Sequence, residues 1–154
     1  EGYGPHGIAI LVEAATDNNN RTVANIRSYF NKCDGNLATS GSVDFLFNHL
    51  CFFQIRDEGL DIEELELDLI DFGVTDLSKS ESEISITAKF ENFGSLQKEL
   101  ERRKFDIISS EFEREAITLK DLSEDEIIKV EKLINMIDED DDVQNVYHNM
   151  KSDN

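Results

Sequence analysis

Apolar positions in the first third of this chain follow two periods, one typical of a buried strand and one of a helix. Residues 8–15 are apolar with a single charge, Glu13, which predicts a buried strand. Apolar side chains then recur at helical spacing over residues 21–33 and predict an amphipathic helix. Those inward-facing residues are Val23, Ile26, Phe30 and Cys33. The polar run at residues 16–20 between the two segments offers several candidate N-caps.

The segment after this helix carries a stop signal and a short alternating stretch. Gly35 is the expected left-handed residue that ends the helix, because glycine adopts that conformation without steric cost. Residues 42–47 alternate polar and apolar positions. This alternation predicts a short strand or an extended segment.

From residue 50 onward, strand and helix patterns alternate regularly. The predicted elements are a strand at 50–56, a helix at 61–71, strands at 72–75 and 83–90, a helix at 92–104 and a strand at 105–113. Asp61 and Asn92 are the expected N-caps of the two helices. The resulting β-α-β-β-α-β order is that of a ferredoxin-like, or split βαβ, unit.

The remaining segments predict a second, discontinuous domain. Residues 116–154 contain a helix opened by a capping box at Ser123 and a last strand at 143–148. Neither this segment nor residues 1–49 can bury its own apolar face, since chains below about forty residues rarely fold unaided. We therefore predict an α+β protein in which residues 1–49 and 116–154 form one domain, with the ferredoxin-like unit of residues 50–115 inserted into it.

Charge changes this picture by restricting where a nucleic acid can bind. The 154 residues carry a formal charge of -19, which repels phosphate on average. Residues 1–49 hold five acids and three bases, residues 50–115 eighteen and eight, and residues 116–154 eleven and four. The opening segment is therefore the part of the chain that repels phosphate least.

One face of the predicted first helix is a candidate nucleic-acid surface. Polar residues recur there at helical spacing, Arg27 flanks them, and two serines follow in the next loop. The candidate residues are Arg21, Asn25, Arg27, Ser28, Lys32, Ser40 and Ser42. Cations can contact phosphates, and the amide and hydroxyls can add hydrogen bonds. Spacing alone fits an ordinary solvated helix surface better, so both interpretations stay open.

Signals for catalysis, cofactors and metals are weak. The opening Gly2-Tyr3-Gly4-Pro5-His6-Gly7 matches the phosphate-binding string G-x-G-x-x-G, but it precedes a strand and no helix follows it. The acidic run at residues 138–142 lacks the ligand pattern of a calcium loop, which predicts a solvated loop. The three histidines, His6, His49 and His148, have no nucleophile at a recognised spacing. We expect neither an enzyme nor a bound cofactor or metal.

Cellular location is indicated by the cysteines and by the length of the apolar runs. Cys33 and Cys51 lie in apolar contexts and form no metal or redox motif, so we expect buried, reduced thiols. That state is typical of the cytoplasm. No stretch approaches the roughly eighteen consecutive apolar residues of a membrane span, so we expect a soluble protein without a membrane partner.

Several motifs, in order along the chain, resemble the YebC/PmpR family, whose relatives include the mitochondrial translational activator of cytochrome c oxidase. They are Gly2-Tyr3-Gly4-Pro5, Asp17-Asn18-Asn19-Asn20-Arg21-Thr22-Val23-Ala24, Gly35-Asn36-Leu37, Ser40-Gly41-Ser42-Val43, Ile70-Asp71-Phe72-Gly73, Phe112-Glu113-Arg114, and residues 141–150. The resemblance covers essentially the whole chain. It implies the second and third domains of a three-domain protein, with the basic N-terminal helical domain absent, as a chain beginning at Glu1 without Met suggests.

The resemblance implies a non-enzymatic regulator of gene expression of the YebC type, which binds DNA to regulate transcription. A ribosome-associated translational activator and an acidic protein-interaction adaptor are the alternatives. The expected partner is nucleic acid, DNA or ribosomal RNA, and the negative charge implies that the full-length protein provides most of the binding. The sequence leaves the oligomeric state open.

Overall fold

Two compact units make up the fold, and the structure, a computed structural model, describes residues 1–151. Unit 1 combines Glu1–Phe47 with the chain from Ala116 onward, and unit 2 is Asn48–Glu115. The helices and strands are β1 (Gly2–Tyr3), β2 (Ala9–Ala14), α1 (Asn19–Lys32), β3 (Asn36–Leu37), β4 (Phe47–Arg56), α2 (Ile62–Leu69), β5 (Val74–Ser80), β6 (Glu83–Lys89), α3 (Phe93–Arg102), β7 (Ile107–Ala116), α4 (Glu124–Asp138) and β8 (Val143–His148). The last three residues of the predicted first domain lie outside the described residues.

Unit 1 is built on a sheet whose strands run in the order β3-β1-β2-β8. β2 pairs antiparallel with β8, so that Ile10 lies opposite His148. Ile8 and Ile10 join the core formed with α1 and α4, whereas Ala9 and Leu11 join a smaller cluster with Val43. Both faces of β2 are therefore covered, which explains why residues 8–11 are continuously apolar rather than alternating.

Unit 2 contains the predicted β-α-β-β-α-β order, in a sheet whose strands run β5-β6-β4-β7. β6 pairs antiparallel with both β4 and β5. Alternate residues of β4 and β6 point into one core together with leucines of α2 and α3. That core consists of Cys51, Phe53, Ile55, Leu65, Leu69, Ile84, Ile86, Ala88, Leu96 and Leu100. The mixed α+β class predicted from the sequence is confirmed.

The first helix differs from its prediction in three respects. α1 begins at Asn19, and its buried residues include Thr22, whereas Val23 is 43% exposed. The left-handed residue after the helix is Asp34, with φ of 58°, and not Gly35. Gly35 serves a different purpose, because a Cβ atom there would lie 2.8 Å from the carbonyl oxygen of Tyr3.

Residues 42–46 form neither the short strand nor the extended segment that was predicted, and only Phe47 is in a strand. The carboxylate of Glu1 accepts hydrogen bonds from the backbone N–H groups of Val43 and Asp44, which engages these donors in a turn instead of a ladder. A short 3-10 turn, Asp44–Leu46, follows, and β4 begins at Phe47.

Two element ends in unit 2 also differ from the prediction. α2 ends at Leu69, and because Gly73 is left-handed with φ of 78°, the next strand begins only at Val74 and extends to Ser80. Asn92 precedes α3, but its side chain makes no capping hydrogen bond.

The predicted capping box at the start of α4 is confirmed. Ser123 accepts from the N–H of Glu126, and the Glu126 carboxylate accepts from the N–H of Ser123. No helix within residues 1–151 combines the length and the apolar character that crossing a membrane requires.

Candidate nucleic-acid interface

α1 is the platform on which most of the candidate residues lie. It carries Arg21, Arg27 and Lys32 and no acidic residue, although the chain has 34 acids. Asn18 caps its first turn by accepting from the N–H of Arg21 at 3.1 Å. The helix packs on unit 1 through Ile26 and other buried residues, so that its polar residues face outward.

The N-terminal end of the candidate surface is neutralised by acids. One guanidinium nitrogen of Arg21, Nη2, lies 3.3 Å from Asp17 Oδ1 and 3.3 Å from Asp142 Oδ2. Arg21 and Asn25 line one surface depression, which is also lined by the acidic residues 139–142. A phosphate approaching Arg21 therefore meets carboxylates that already hold this cation.

Asp142 fastens α1 to the chain that connects α4 and β8. Its Oδ2 accepts from the Thr22 hydroxyl at 2.8 Å and from the Thr16 hydroxyl at 3.4 Å. The hydrogen bond from Thr22 lowers the pKa of Asp142 most, partial burial opposes it, and Arg21 lowers it further. The ionised form is therefore bonded in the fold, and this contribution to stability disappears as the pH falls through that lowered pKa.

A second acid of the same run also has a structural partner. The Tyr29 hydroxyl donates to Asp140 Oδ2 at 2.8 Å, and Asp140 Oδ1 accepts from the N–H of Asp142. The run at residues 138–142 was expected to be a solvated loop, and for these two half-buried acids that expectation is wrong. Sequence spacing gave no signal for this role, since the partners lie more than a hundred residues away.

We expect the substitution Arg21→Glu to act mainly by lowering the free energy of unfolding, with only a small effect on any nucleic-acid binding. It would place a third carboxylate beside Asp17 and Asp142 and remove their shared cation. Thermal unfolding should show a lower Tm for Arg21→Glu than for Lys32→Glu, which makes the same charge change on the same helix. Equal Tm values for the two variants would contradict this assignment.

The C-terminal half of α1 presents a different surface, the Arg27–Lys32 surface, which consists of Ala24, Arg27, Ser28, Asn31 and Lys32. Both cations are exposed. Among the ion pairs formed within residues 1–151, none involves Arg27 or Lys32. Their charges are therefore available to an anionic partner.

Arg27 also lines a cleft of about 350 Å³ on the neighbouring side of α1, which brings it together with Ser40. Exposed Val23 and the half-buried Leu37 make part of that lining apolar. Ser42 is not part of the lining, and its hydroxyl donates to the Thr39 carbonyl at 2.7 Å. The structure thus groups Arg27, Ser28 and Lys32, adds Ser40 across the cleft, and separates Arg21, Asn25 and Ser42 from them.

The three histidines, which were the other candidates for a catalytic or metal site, make structural contacts within the fold. His6 Nδ1 lies 3.1 Å from Glu126, and His148 Nδ1 accepts from the N–H of Met150. Burial lowers the pKa of His148, which favours the neutral ring. His49 stacks on Phe90 with ring centroids 3.8 Å apart. Within residues 1–151, no three metal-ligating side chains come together.

The two cysteines are buried, as predicted, and the glycine-rich opening segment contains a short turn. Cys33 and Cys51 are buried free thiols. Pro5–Gly7 forms a short 3-10 turn between β1 and β2, with His6 and Gly7 at positive φ, and no helix follows it directly. This context differs from the strand-turn-helix arrangement that binds pyrophosphate.

Comparison with known proteins gives consistent matches over almost the whole chain. The family model described as TACO1/YebC second and third domain matches residues 1–150. A "Probable transcriptional regulatory protein" of Flavobacterium johnsoniae is 61% identical over 99% of this chain and 65% of its own length. A protein of the same name from Parabacteroides distasonis is 53% identical over 99% of this chain and 63% of its own length.

A solved structure shows the same similarity in three dimensions. The crystal structure of a conserved hypothetical protein from Aquifex aeolicus superimposes with a TM-score of 0.67 at 33% identity, and it covers 97% of this chain and 62% of that one. The chain therefore spans a little less than two thirds of the length of the relatives that it matches.

Proposed function

This chain belongs to the TACO1/YebC family, and from that membership we propose that it is the larger part of a non-enzymatic, DNA-binding transcriptional regulator. The observation that carries the proposal is the match of nearly all of the chain to relatives named probable transcriptional regulatory proteins. The buried free thiols of Cys33 and Cys51 support action in the reducing cytoplasm.

We place the nucleic-acid contact of this chain on the Arg27–Lys32 surface. Its two exposed cations pair with no carboxylate among residues 1–151, so they can form charge-assisted hydrogen bonds with phosphate oxygens. Ser28 between them and Ser40 across the cleft add hydroxyl groups of the kind that position a phosphate backbone. Arg21, Asn25 and Ser42 lie apart from this surface and contribute less.

Charge sets the strength of this contact. Because the chain has a formal charge of -19, most of its surface repels DNA. Two phosphate contacts supply only a small part of the binding energy of a typical DNA-binding protein, which makes six to ten or so. We therefore propose that α1 orients the nucleic acid. Most of the affinity for the nucleic acid comes from the additional region that the longer relatives have outside the part matched by this chain.

The test is a double charge reversal on α1 compared with the same reversal elsewhere. Arg27→Glu with Lys32→Glu should weaken, without abolishing, the binding of labelled duplex DNA by the full-length protein, and should reduce the steepness of log K against log[salt] by about two. Lys129→Glu with Lys132→Glu changes the net charge equally on α4, where both lysines are exposed. That control should retain most of the binding and the full slope.

The same variants distinguish DNA from the ribosome as the target. Co-sedimentation with ribosomes that is lost in the α1 variant, without measurable binding of duplex DNA by the unmodified protein, would replace transcription by translational activation. Equal losses in the α1 and α4 variants would instead show that only net charge matters, and would contradict a site on α1.

A further inference from the structure

An exposed apolar pair that is not part of the core of unit 2 lies on α2 and on the 3-10 turn that follows it. Leu65 and Leu69 face inward and are buried, as expected for an amphipathic helix. Leu67 and Ile70 lie three positions apart on another side and are 73% and 59% exposed. A single exposed leucine is ordinary on a protein surface, but two adjacent large apolar side chains at these exposures form a contiguous patch.

The surroundings of this pair are acidic, and cations neutralise only part of that charge. Residues 57–78 contain nine acids and no lysine or arginine. Cations from other elements reach two of these acids, with Lys79 Nζ 2.8 Å from Asp57 and Arg103 Nη1 3.2 Å from Asp68. Within residues 1–151, no ion pair involves four other acids that neighbour the apolar pair in sequence, which are Glu63, Glu64, Glu66 and Asp71. Leu67 and Ile70 with these four acids are named the α2 patch.

We propose that the α2 patch docks a basic, amphipathic segment of a partner protein. Apolar side chains of that segment pack on Leu67 and Ile70, and its lysines and arginines pair with the surrounding carboxylates. Phosphate-bearing partners are repelled by the same carboxylates, so this surface is distinct from the Arg27–Lys32 surface in the partner that it accepts. The inference does not depend on the proposed contact with nucleic acid.

The size of the patch defines the scale of the interaction. α2 has eight residues and is therefore about 12 Å long, which matches about two turns of a partner helix. An interface of this size falls below the standard class and is typical of weak, transient complexes. Attraction between the charges should speed association at low salt, and added salt should weaken it.

A designed peptide tests the docking on the 154-residue chain. The probe is a helical peptide of about twelve residues with leucines along one face and lysines at all other positions. We expect its amide chemical-shift changes to concentrate in residues 62–72. Leu67→Ala with Ile70→Ala should weaken binding about tenfold or more, which corresponds to about 1.4 kcal/mol. Both side chains are largely exposed, so the double variant should fold normally, as circular dichroism can verify.

Two matched controls separate docking from general attraction to an acidic protein. Ile128 is 64% exposed on α4, and Ile128→Ala should leave peptide binding unchanged. A peptide of the same composition with its leucines scattered around the helix should bind much more weakly. The proposal is overturned if the scattered peptide binds equally well, if the α2 variant binds like the unmodified chain, or if a duplex DNA or RNA probe produces the same shifts in residues 62–72.

Discussion

Replacing Phe30 by alanine should destabilise unit 1 by about 3–5 kcal/mol, a large share of the 5–15 kcal/mol or so that stabilises a typical domain. Phe30 is fully buried where α1 meets the sheet. Backbone of two segments lies close to one edge of its ring, since a Cβ atom on Gly2 would come within 2.9 Å of Cε1 and one on Gly35 within 3.1 Å of Cδ1. Backbone held in this way cannot move in to fill the space, so most of the cavity should remain.

Amide hydrogen exchange measured by mass spectrometry checks this expectation and the independence of the two cores. The core of Phe30 shares no buried residue with that of unit 2. Phe30→Ala should therefore accelerate exchange in β2, α1, α4 and β8 while β4 and β6 keep their protection. Phe53→Ala, which removes an equally buried ring from unit 2, should produce the opposite pattern. Uniform acceleration in both variants would show that the units unfold together.

A second large effect is expected from adding one methyl group at Gly35. The new Cβ would meet the carbonyl oxygen of Tyr3 at 2.8 Å and the Cα of Gly4 at 3.2 Å. Neither atom belongs to a flexible side chain, so the strand β1 and the turn after it must shift. We expect Gly35→Ala to cost about 1–3 kcal/mol in urea unfolding, the usual range for overpacking.

Gly94 provides the matched control for that substitution. It lies in the first turn of α3, and its added Cβ would meet no atom within 4 Å. Gly94→Ala should leave stability unchanged or raise it by about 0.5–1 kcal/mol, because alanine favours the helix. An unfolding midpoint for Gly35→Ala equal to that of the unmodified chain would refute the close packing described for β1.

The fold was predictable wherever local patterns agree with their tertiary surroundings. Alternation identified β6, and the Ser123 capping box identified the start of α4. The prediction was wrong where a residue distant in sequence determines which side chain is buried or which backbone conformation is adopted. Thr22 is buried although Val23 is more apolar, because Asp142, 120 residues away, accepts from its hydroxyl. A left-handed cap at Gly35 was expected from local rules, but the contact with Tyr3 needs the glycine there and leaves Asp34 in the strained conformation.

The candidate site was predictable only as a set of residues on one helix. Helical spacing placed Arg21 and Lys32 on a common polar face, but it contains no information about which cations have carboxylate partners. Asp17 is close to Arg21 in sequence, so local spacing could have indicated this pair. Asp142 is brought close to Arg21 by the pairing of β2 with β8. That long-range pairing divides the helix surface into a neutralised end and an available end.

The inserted arrangement has a consequence for the order in which the protein is made. During synthesis, β2 cannot pair with β8 until residues 143–148 have been made, because Ile10 lies opposite His148 in the sheet. Unit 2 is contiguous, so it can fold before the second half of unit 1 leaves the ribosome. In the finished protein, the two segments of unit 1 that flank unit 2 are joined by a hydrogen bond from Ile117 N to Leu46 O, so unit 2 links two points that lie close together. The entropic cost of closing unit 1 is then that of a short loop instead of a long one.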